Sequence, residues 1–175
     1  CYIVSNFYKF LHLNNIEDIK LSLKKEFKKI DLKGSFLLSS EGINGSFSVR
    51  KQDYELIKNK INNTFNQTFE FKNQNYKSHA FLRLKIRIKK EIVTIGDRRI
   101  KPLLNSGKYL SADDWESLIS EKKVVLIDTR NHYESRIGSF KNSIKVNSNN
   151  FREFPRWFEK NNEKFKNKKI AMFCT

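Results

Sequence analysis

The stretch Leu82-Arg-Leu-Lys-Ile-Arg-Ile-Lys89 constrains this chain most, because apolar and cationic residues alternate along it without exception. A period of two puts Leu82, Leu84, Ile86 and Ile88 on one side of an extended strand, and Arg83, Lys85, Arg87 and Lys89 on the other. A helix would scatter both sets around its axis, so only a sheet with one buried and one wet face can use this sequence. With Lys90 beside it, the cationic side repeats about every 6.6 to 6.8 Å. Such a row suits a phosphate backbone, where each contact adds salt-dependent affinity. It also suits a plain edge strand whose lysines block aggregation.

The residues before that stretch supply the rest of a sheet. Residues 2–13 are β-branched and aromatic and read as a first strand. Asn14 and Asn15 offer caps for a helix carrying Ile16, Ile19, Leu23, Phe27 and Ile30 on one stripe, which Gly34 then stops. Residues 35–39 form a short strand, Glu41-Gly-Ile-Asn-Gly45 a tight connection, and Phe47 and Val49 mark a half-buried third strand. A second helix over 51–65 aligns Tyr54, Ile57, Ile61 and Phe65, and Phe69 and Phe71 begin a further strand. The order strand, helix, strand, strand, helix, strand is ferredoxin-like, with both helices on one sheet face. The other face is then open, and the basic stripe is expected on it or along its edge.

These elements occupy a first domain, residues 1–92. Gly96, Pro102 and Gly107 give residues 93–110 the chemistry of a linker. A second domain, 111–175, opens with a helix capped by Ser111, with Asp113 and Asp114 in its first turn. Apolar strands at 124–128, 143–146 and 169–173 alternate with helical stretches near Tyr133 and over 152–161, which indicates a parallel sheet. The overall class is therefore α/β: an α+β ferredoxin-like domain followed by an α/β domain.

The net charge of +16 points to a polyanionic partner, for which nucleic acid is the usual choice. A Lys-, Asn-, Ile- and Phe-rich composition also follows from AT-rich codons, so the distribution of charge has to decide. No apolar run reaches the roughly 18 residues a membrane span needs, and no secretory signal is present. Only Cys1 and Cys174 are available for disulfides, which fits a reducing cytoplasm. The missing initiator Met and the stop just after Cys174 give the expectation of a piece of a longer protein. No protein partner is indicated.

Chemistry in open parallel sheets collects outside the carboxyl ends of the strands. Cys174, directly after the last apolar run, is thus the candidate nucleophile; the alternative is a small buried thiol of structural use. Asp128 and Arg130 end the first strand of the same sheet, either as a structural ion pair or with Arg130 holding an anion. Arg152 and Glu153 begin a helix, as a surface pair or along a substrate path. His12, His79 and His132 make no metal-binding spacing with one another or with the cysteines, and neither a Rossmann glycine pattern nor a Walker sequence occurs. No metal site or cofactor is evident.

Val125-Leu-Ile-Asp-Thr-Arg-Asn131, Tyr133-Glu134, Ile137-Gly-Ser-Phe-Lys-Asn-Ser-Ile144 and Ala171-Met-Phe-Cys-Thr175 resemble the first half of a rhodanese domain ending at its active-site cysteine. With Glu41-Gly-Ile-Asn-Gly45, Leu84-Lys-Ile-Arg-Ile-Lys-Lys-Glu-Ile-Val93 and Phe151-Arg-Glu-Phe-Pro155, the chain resembles the bacterial rhodanese-like tRNA uridine(34) 5-hydroxylases. The resemblance implies an acylphosphatase-like, ferredoxin-like domain ahead of a rhodanese-like domain that is incomplete at its C-terminus. It further implies oxygen-dependent hydroxylation of the wobble uridine of tRNA in the cytoplasm, with molecular oxygen as co-substrate and Cys174 as the active-site thiol. Asp128, Arg130, Arg152 and Glu153 are then candidates for active-site support, and Arg83, Lys85, Arg87, Lys89 and Lys90 for tRNA binding. Where typical rhodaneses have Gly-His-Ile-Pro-Gly-Ala, this chain has Gly138-Ser-Phe-Lys-Asn-Ser143, and the missing histidine weighs against ordinary thiosulfate chemistry. A sulfurtransferase carrying a persulfide on Cys174, and a non-catalytic RNA-binding module, remain the alternatives.

Overall fold

The computed structural model describes residues 1–97 and 99–174; Thr175, the end of the Ala171–Thr175 motif, and Arg98, within the expected linker, lie outside the described residues. The chain divides into two compact units, Cys1–Val93 and Thr94–Thr175.

In the first unit the order is β1 (Tyr2–Phe10), α1 (Ile16–Phe27), β2 (Lys33–Ser39), β3 (Gly42–Arg50), α2 (Tyr54–Phe65), β4 (Lys72–Tyr76) and β5 (Leu84–Ile88). The sheet order is β4-β1-β3-β2-β5, antiparallel except for the β2–β5 pair. Period-two alternation sends Ile3, Phe7, Phe36, Leu38, Ile43, Phe47 and Val49 to one face, where they bury against Leu23 and Phe27 of α1 and Ile57, Ile61 and Phe65 of α2. Both helices therefore cover the same face, as the ferredoxin-like pattern requires.

Several local expectations are corrected. The strand that closes the ferredoxin-like pattern is the wholly exposed, polar β4, beside β1, whereas the alternating stretch is an additional edge strand parallel to β2. Phe69 and Phe71 precede β4 and pack into the core as loop residues. Leu82 is 95% exposed, because pairing with β2 starts only at Leu84 opposite Gly34. Asn15 makes no side-chain cap; its backbone is left-handed at φ 53°, a conformation asparagine tolerates. The Glu41–Gly45 motif is mostly strand: the turn is limited to Ser40 and Glu41, and pairing resumes with Ser39 opposite Gly42.

Gly34 does not stop α1, which ends at Phe27, but lies inside β2. There an added Cβ would stand 2.2 Å from the Ser46 carbonyl oxygen and 2.6 Å from Phe47 Cα. Backbone cannot move aside as a flexible side chain can. Gly34→Ala is expected to cost about 2 kcal/mol through overpacking, checked by chemical denaturation.

The second unit holds α3 (Pro102–Asn105), α4 (Ala112–Ile119), β6 (Val124–Asp128), α5 (His132–Ile137), β7 (Ile144–Lys145), α6 (Phe154–Asn161) and β8 (Lys169–Phe173). The expected linker contains α3 and is tied to α6, with Arg99 bridging Asp97 and Glu159. Its sheet, β7-β6-β8, is parallel throughout. Ile127, Val146 and Phe165 form its small core with Val125, Trp157, Phe158 and Ile170. Ser111 caps α4 as expected, its Oγ accepting from the Asp114 amide at 3.1 Å. No helix among the described residues is long and apolar enough to cross a membrane.

Candidate functional site

The carboxyl ends of β6 and β8 lie side by side, with Asp128 paired to Phe173. The first polar residues after each strand therefore meet at one rim. Thr129 holds that register past the strand ends: its amide and its Oγ1 both donate to the Phe173 carbonyl, at 3.1 and 2.9 Å. This fixes the backbone immediately before Cys174. On the other side of the turn, Asn131 and Glu134 form a reciprocal capping box that starts α5 and sets its direction.

Asp128 is fully buried and Arg130 mostly so. The guanidinium grips the carboxylate with two prongs, Nε to Oδ1 at 3.0 Å and Nη2 to Oδ2 at 2.8 Å. The Arg130 amide donates to Oδ1 at 3.1 Å and Ser139 Oγ to Oδ2 at 2.6 Å. Burial by itself would raise the Asp128 carboxyl, but the bonds from Arg130 and Ser139 outweigh it and hold it below the ordinary carboxylate value. Arg130 is raised correspondingly, first by its bond to Asp128 and then, more weakly, by the nearby Glu134 and Cys174. Arg130 Nη2 also donates to the Gly138 carbonyl at 2.6 Å, so the guanidinium spans the rim.

Arg130, Gly138, Ser139, Phe140, Phe173 and Cys174 line one cavity of about 440 Å³. Cys174 is exposed there. Phe140 and Phe173 meet edge to face at 4.9 Å, backed by Trp115 at 5.8 and 6.1 Å, and Arg130 lies 5.3 Å over the Phe173 ring. The arrangement joins a sulfur, a fixed cation and flat apolar walls. It can hold a planar, partly anionic molecule against a nucleophile.

The structure thus brings Cys174 and Arg130 together in one cavity, with the Asp128 carboxylate bonded behind Arg130. Arg152 and Glu153 do not line this cavity. Glu153 accepts from the Asn149 amide and from Asn150 Nδ2, at 3.1 and 2.9 Å, and the Arg152 side chain lies beside Gly96. Ser139, Phe140 and Phe173 are the residues that sequence reasoning missed. The departure at Ser139 from the usual histidine was the available signal, because a hydroxyl at that point reaches the buried carboxylate. A larger cavity, about 550 Å³, is lined by Cys1, Tyr2, Arg50, Lys51 and Gln52 in the first unit and gathers no comparable chemistry. Among the described residues no cluster of His, Cys, Asp or Glu could hold a metal ion.

Lys85 and Arg87 stand on the sheet face opposite the helices, since Leu84, Ile86 and Ile88 between them pack on the core. Arg83 and Lys89 extend the same register, with the Gly34 amide donating to Arg83 O and the Lys89 amide to Leu38 O. Lys90 follows as an exposed residue beyond the strand.

Residues 2–92 match the model of the UPF0176 acylphosphatase-like domain family. A protein of Legionella pneumophila (strain Corby) described as tRNA uridine(34) hydroxylase is 37% identical over 180 residues, covering 99% of this chain and 68% of that protein. One of the same description from Prochlorococcus marinus (strain MIT 9515) is 42% identical over 183 residues, covering 99% of this chain and 58% of that protein. Among solved structures, an acylphosphatase from Coxiella burnetii aligns with 49% of this chain and 90% of its own length, at 6% identity and a TM-score of 0.36.

Proposed function

This chain belongs to the tRNA uridine(34) hydroxylase family, and on that premise we propose that it converts the wobble uridine of tRNA to 5-hydroxyuridine in the cytoplasm. The observation that carries the reading is the shared cavity of Cys174, Arg130 and the Phe140–Phe173 walls. Uracil is planar and accepts nucleophiles at C6. Addition of the Cys174 sulfur there would place electron density on C5 and the adjacent carbonyl, and Arg130 offers its positive charge to that anion; once oxygen is installed at C5, loss of the C5 proton expels the sulfur from C6 as thiolate and restores the C5–C6 double bond. The aromatic walls would keep the ring flat against the sulfur. Molecular oxygen is the co-substrate: one atom becomes the new hydroxyl, and the other leaves as water with two electrons and two protons from a reductant.

The test is incubation of the protein with unmodified tRNA and a reductant in air, followed by nucleoside mass spectrometry. Gain of one oxygen at the wobble uridine, abolished under nitrogen, is the expected result. A parallel incubation with thiosulfate separates the sulfurtransferase reading, which requires gain of one sulfur in the intact protein mass and turnover to cyanide.

The stripe of Arg83, Lys85, Arg87, Lys89 and Lys90 is assigned to the tRNA backbone. Reversing Arg83, Lys85 and Arg87 to glutamate should weaken tRNA binding by at least about tenfold and flatten its dependence on salt, measured by filter binding across a salt series. Unchanged affinity would remove the stripe from the account.

A further inference from the structure

The sheet of the first unit has a face that neither helix covers, and the strand register assigns its residues row by row. Lys72, Asn6, Ser46, Ser35 and Lys85 form one row crossing all five strands. Its middle is low and polar, with Ser46 Oγ donating to Asn6 Oδ1 at 2.6 Å. The neighbouring row holds Tyr8, Asn44, Leu37 and Arg87, and the row on the other side Gln74, Val4, Ser48 and Lys33. Tyr76 closes the far corner. The ring-bearing residues stand well into solvent, Tyr8 at 43% and Tyr76 at 51% exposure. The face is covered on both flanks of the central row: His79, from the segment between β4 and β5, bonds the buried Ser48 at 2.9 Å and packs on Tyr2, and the chain returning from β5 lies over Asn44, whose Nδ2 donates to the Ile92 carbonyl.

None of these positions is a carboxylate, while Lys33, Lys72, Lys85 and Arg87 ring the trough. Four strand spacings of about 4.8 Å make the row roughly 19 Å long. The combination of flat backbone, small polar floor, flanking cations and outward aromatic rings matches the chemistry that binds unpaired nucleotides. Exposed rings stack on bases only where the bases are not stacked within a helix, and cations track the phosphates.

We propose that this open face is a platform for a single-stranded segment of RNA, running along the Lys72–Lys85 row with bases against Tyr8 and Tyr76. The inference rests on the reading of tRNA as substrate and specifies the part of it recognised: an unpaired stretch rather than a stem. A docking site of charge alone would not favour the unpaired strand, whose phosphates are the less densely spaced.

The test uses the whole chain and a labelled short oligouridine, compared by fluorescence anisotropy with an RNA hairpin of equal phosphate number at one salt concentration. Preference for the single strand by about tenfold is expected. Tyr8→Ala with Tyr76→Ala should abolish that preference while leaving the salt dependence unchanged, and Tyr8→Phe with Tyr76→Phe should retain it, which separates lost stacking from misfolding. Lys85→Ala with Arg87→Ala should weaken both ligands and lower the salt slope. Equal affinity of the unaltered chain for strand and hairpin, preference surviving in the double alanine variant, or self-association through this face with no RNA bound would each overturn the proposal. Binding is read apart from hydroxylation, so loss of the enzyme reading leaves the strand preference measurable, and the reverse holds as well.

Discussion

Cys174→Ser is expected to reduce 5-hydroxyuridine formation to the uncatalysed background, the largest effect of any single change in this chain. Serine preserves the size and the backbone held by Thr129, but its hydroxyl is far less ionised near neutral pH and adds poorly to a pyrimidine ring. The measurement is nucleoside mass spectrometry of tRNA treated with variant or unaltered protein, with tRNA binding followed in parallel. Retained binding with lost hydroxylation assigns the thiol to chemistry rather than to docking. Cys1→Ser serves as the internal control and should leave the product yield unchanged, since Cys1 lies in the other unit. Normal product from the Cys174 variant would sink the assignment.

The second large effect is expected at Asp128. Its carboxylate is fully buried and receives four donors, three of them from Arg130. Asp128→Ala strands a guanidinium that is only 18% exposed, and leaving one partner of such a pair uncompensated costs about 3 kcal/mol. Arg130 would also drift from the cavity, and a displacement of about 1 Å near the reacting atoms is worth about a hundredfold in rate. Thermal unfolding and product formation check the two effects separately.

The same residue sets a pH dependence. Because the folded carboxyl is held below its ordinary value, its contribution to stability is present above the unfolded pKa of about 4 and disappears as pH falls through the folded value. Asp128→Asn removes this term. The stability gap between the unaltered protein and Asp128→Asn should therefore be full at neutral pH and close progressively below about pH 4, as followed by denaturant titration. A gap independent of pH in that range would show that the carboxylate is not the titrating group.

Much of the candidate site was legible in the sequence because it sits where apolar runs end. The runs 124–128 and 169–173 mark adjacent buried strands, and polar residues directly beyond such strands share a rim, which is why Arg130 and Cys174 could be paired in advance. Ser139, Phe140 and Phe173 were not legible. Phe173 reads as the last core residue of its strand, and only the closeness of Phe140 and Trp115 turns its ring into a cavity wall. Arg152 and Glu153 showed the reverse problem: a charged pair at a helix start looks the same whether it faces a substrate or closes its own turn, and here Glu153 does the latter.

Periodicity is written in the chain itself, and with it every strand but β4, the two amphipathic helices of the first unit, and the division of β5 into an apolar and a cationic side. Period and burial are local properties, set by which side chains water rejects. Tertiary structure decided which strand closes the first sheet. Lys72–Tyr76 carries no apolar signal, yet it pairs with β1 because Asn73 is anchored by Ser5 Oγ at 2.8 Å and donates to the Tyr54 hydroxyl at 2.7 Å. Those partners lie 68 and 19 residues away in the chain, beyond the reach of any local pattern. Tertiary structure likewise decided that a fully buried carboxylate would hold a guanidinium across the rim, in the cavity that Cys174 also lines, since hydrogen-bond satisfaction inside a sheet depends on groups that meet only after the chain has folded.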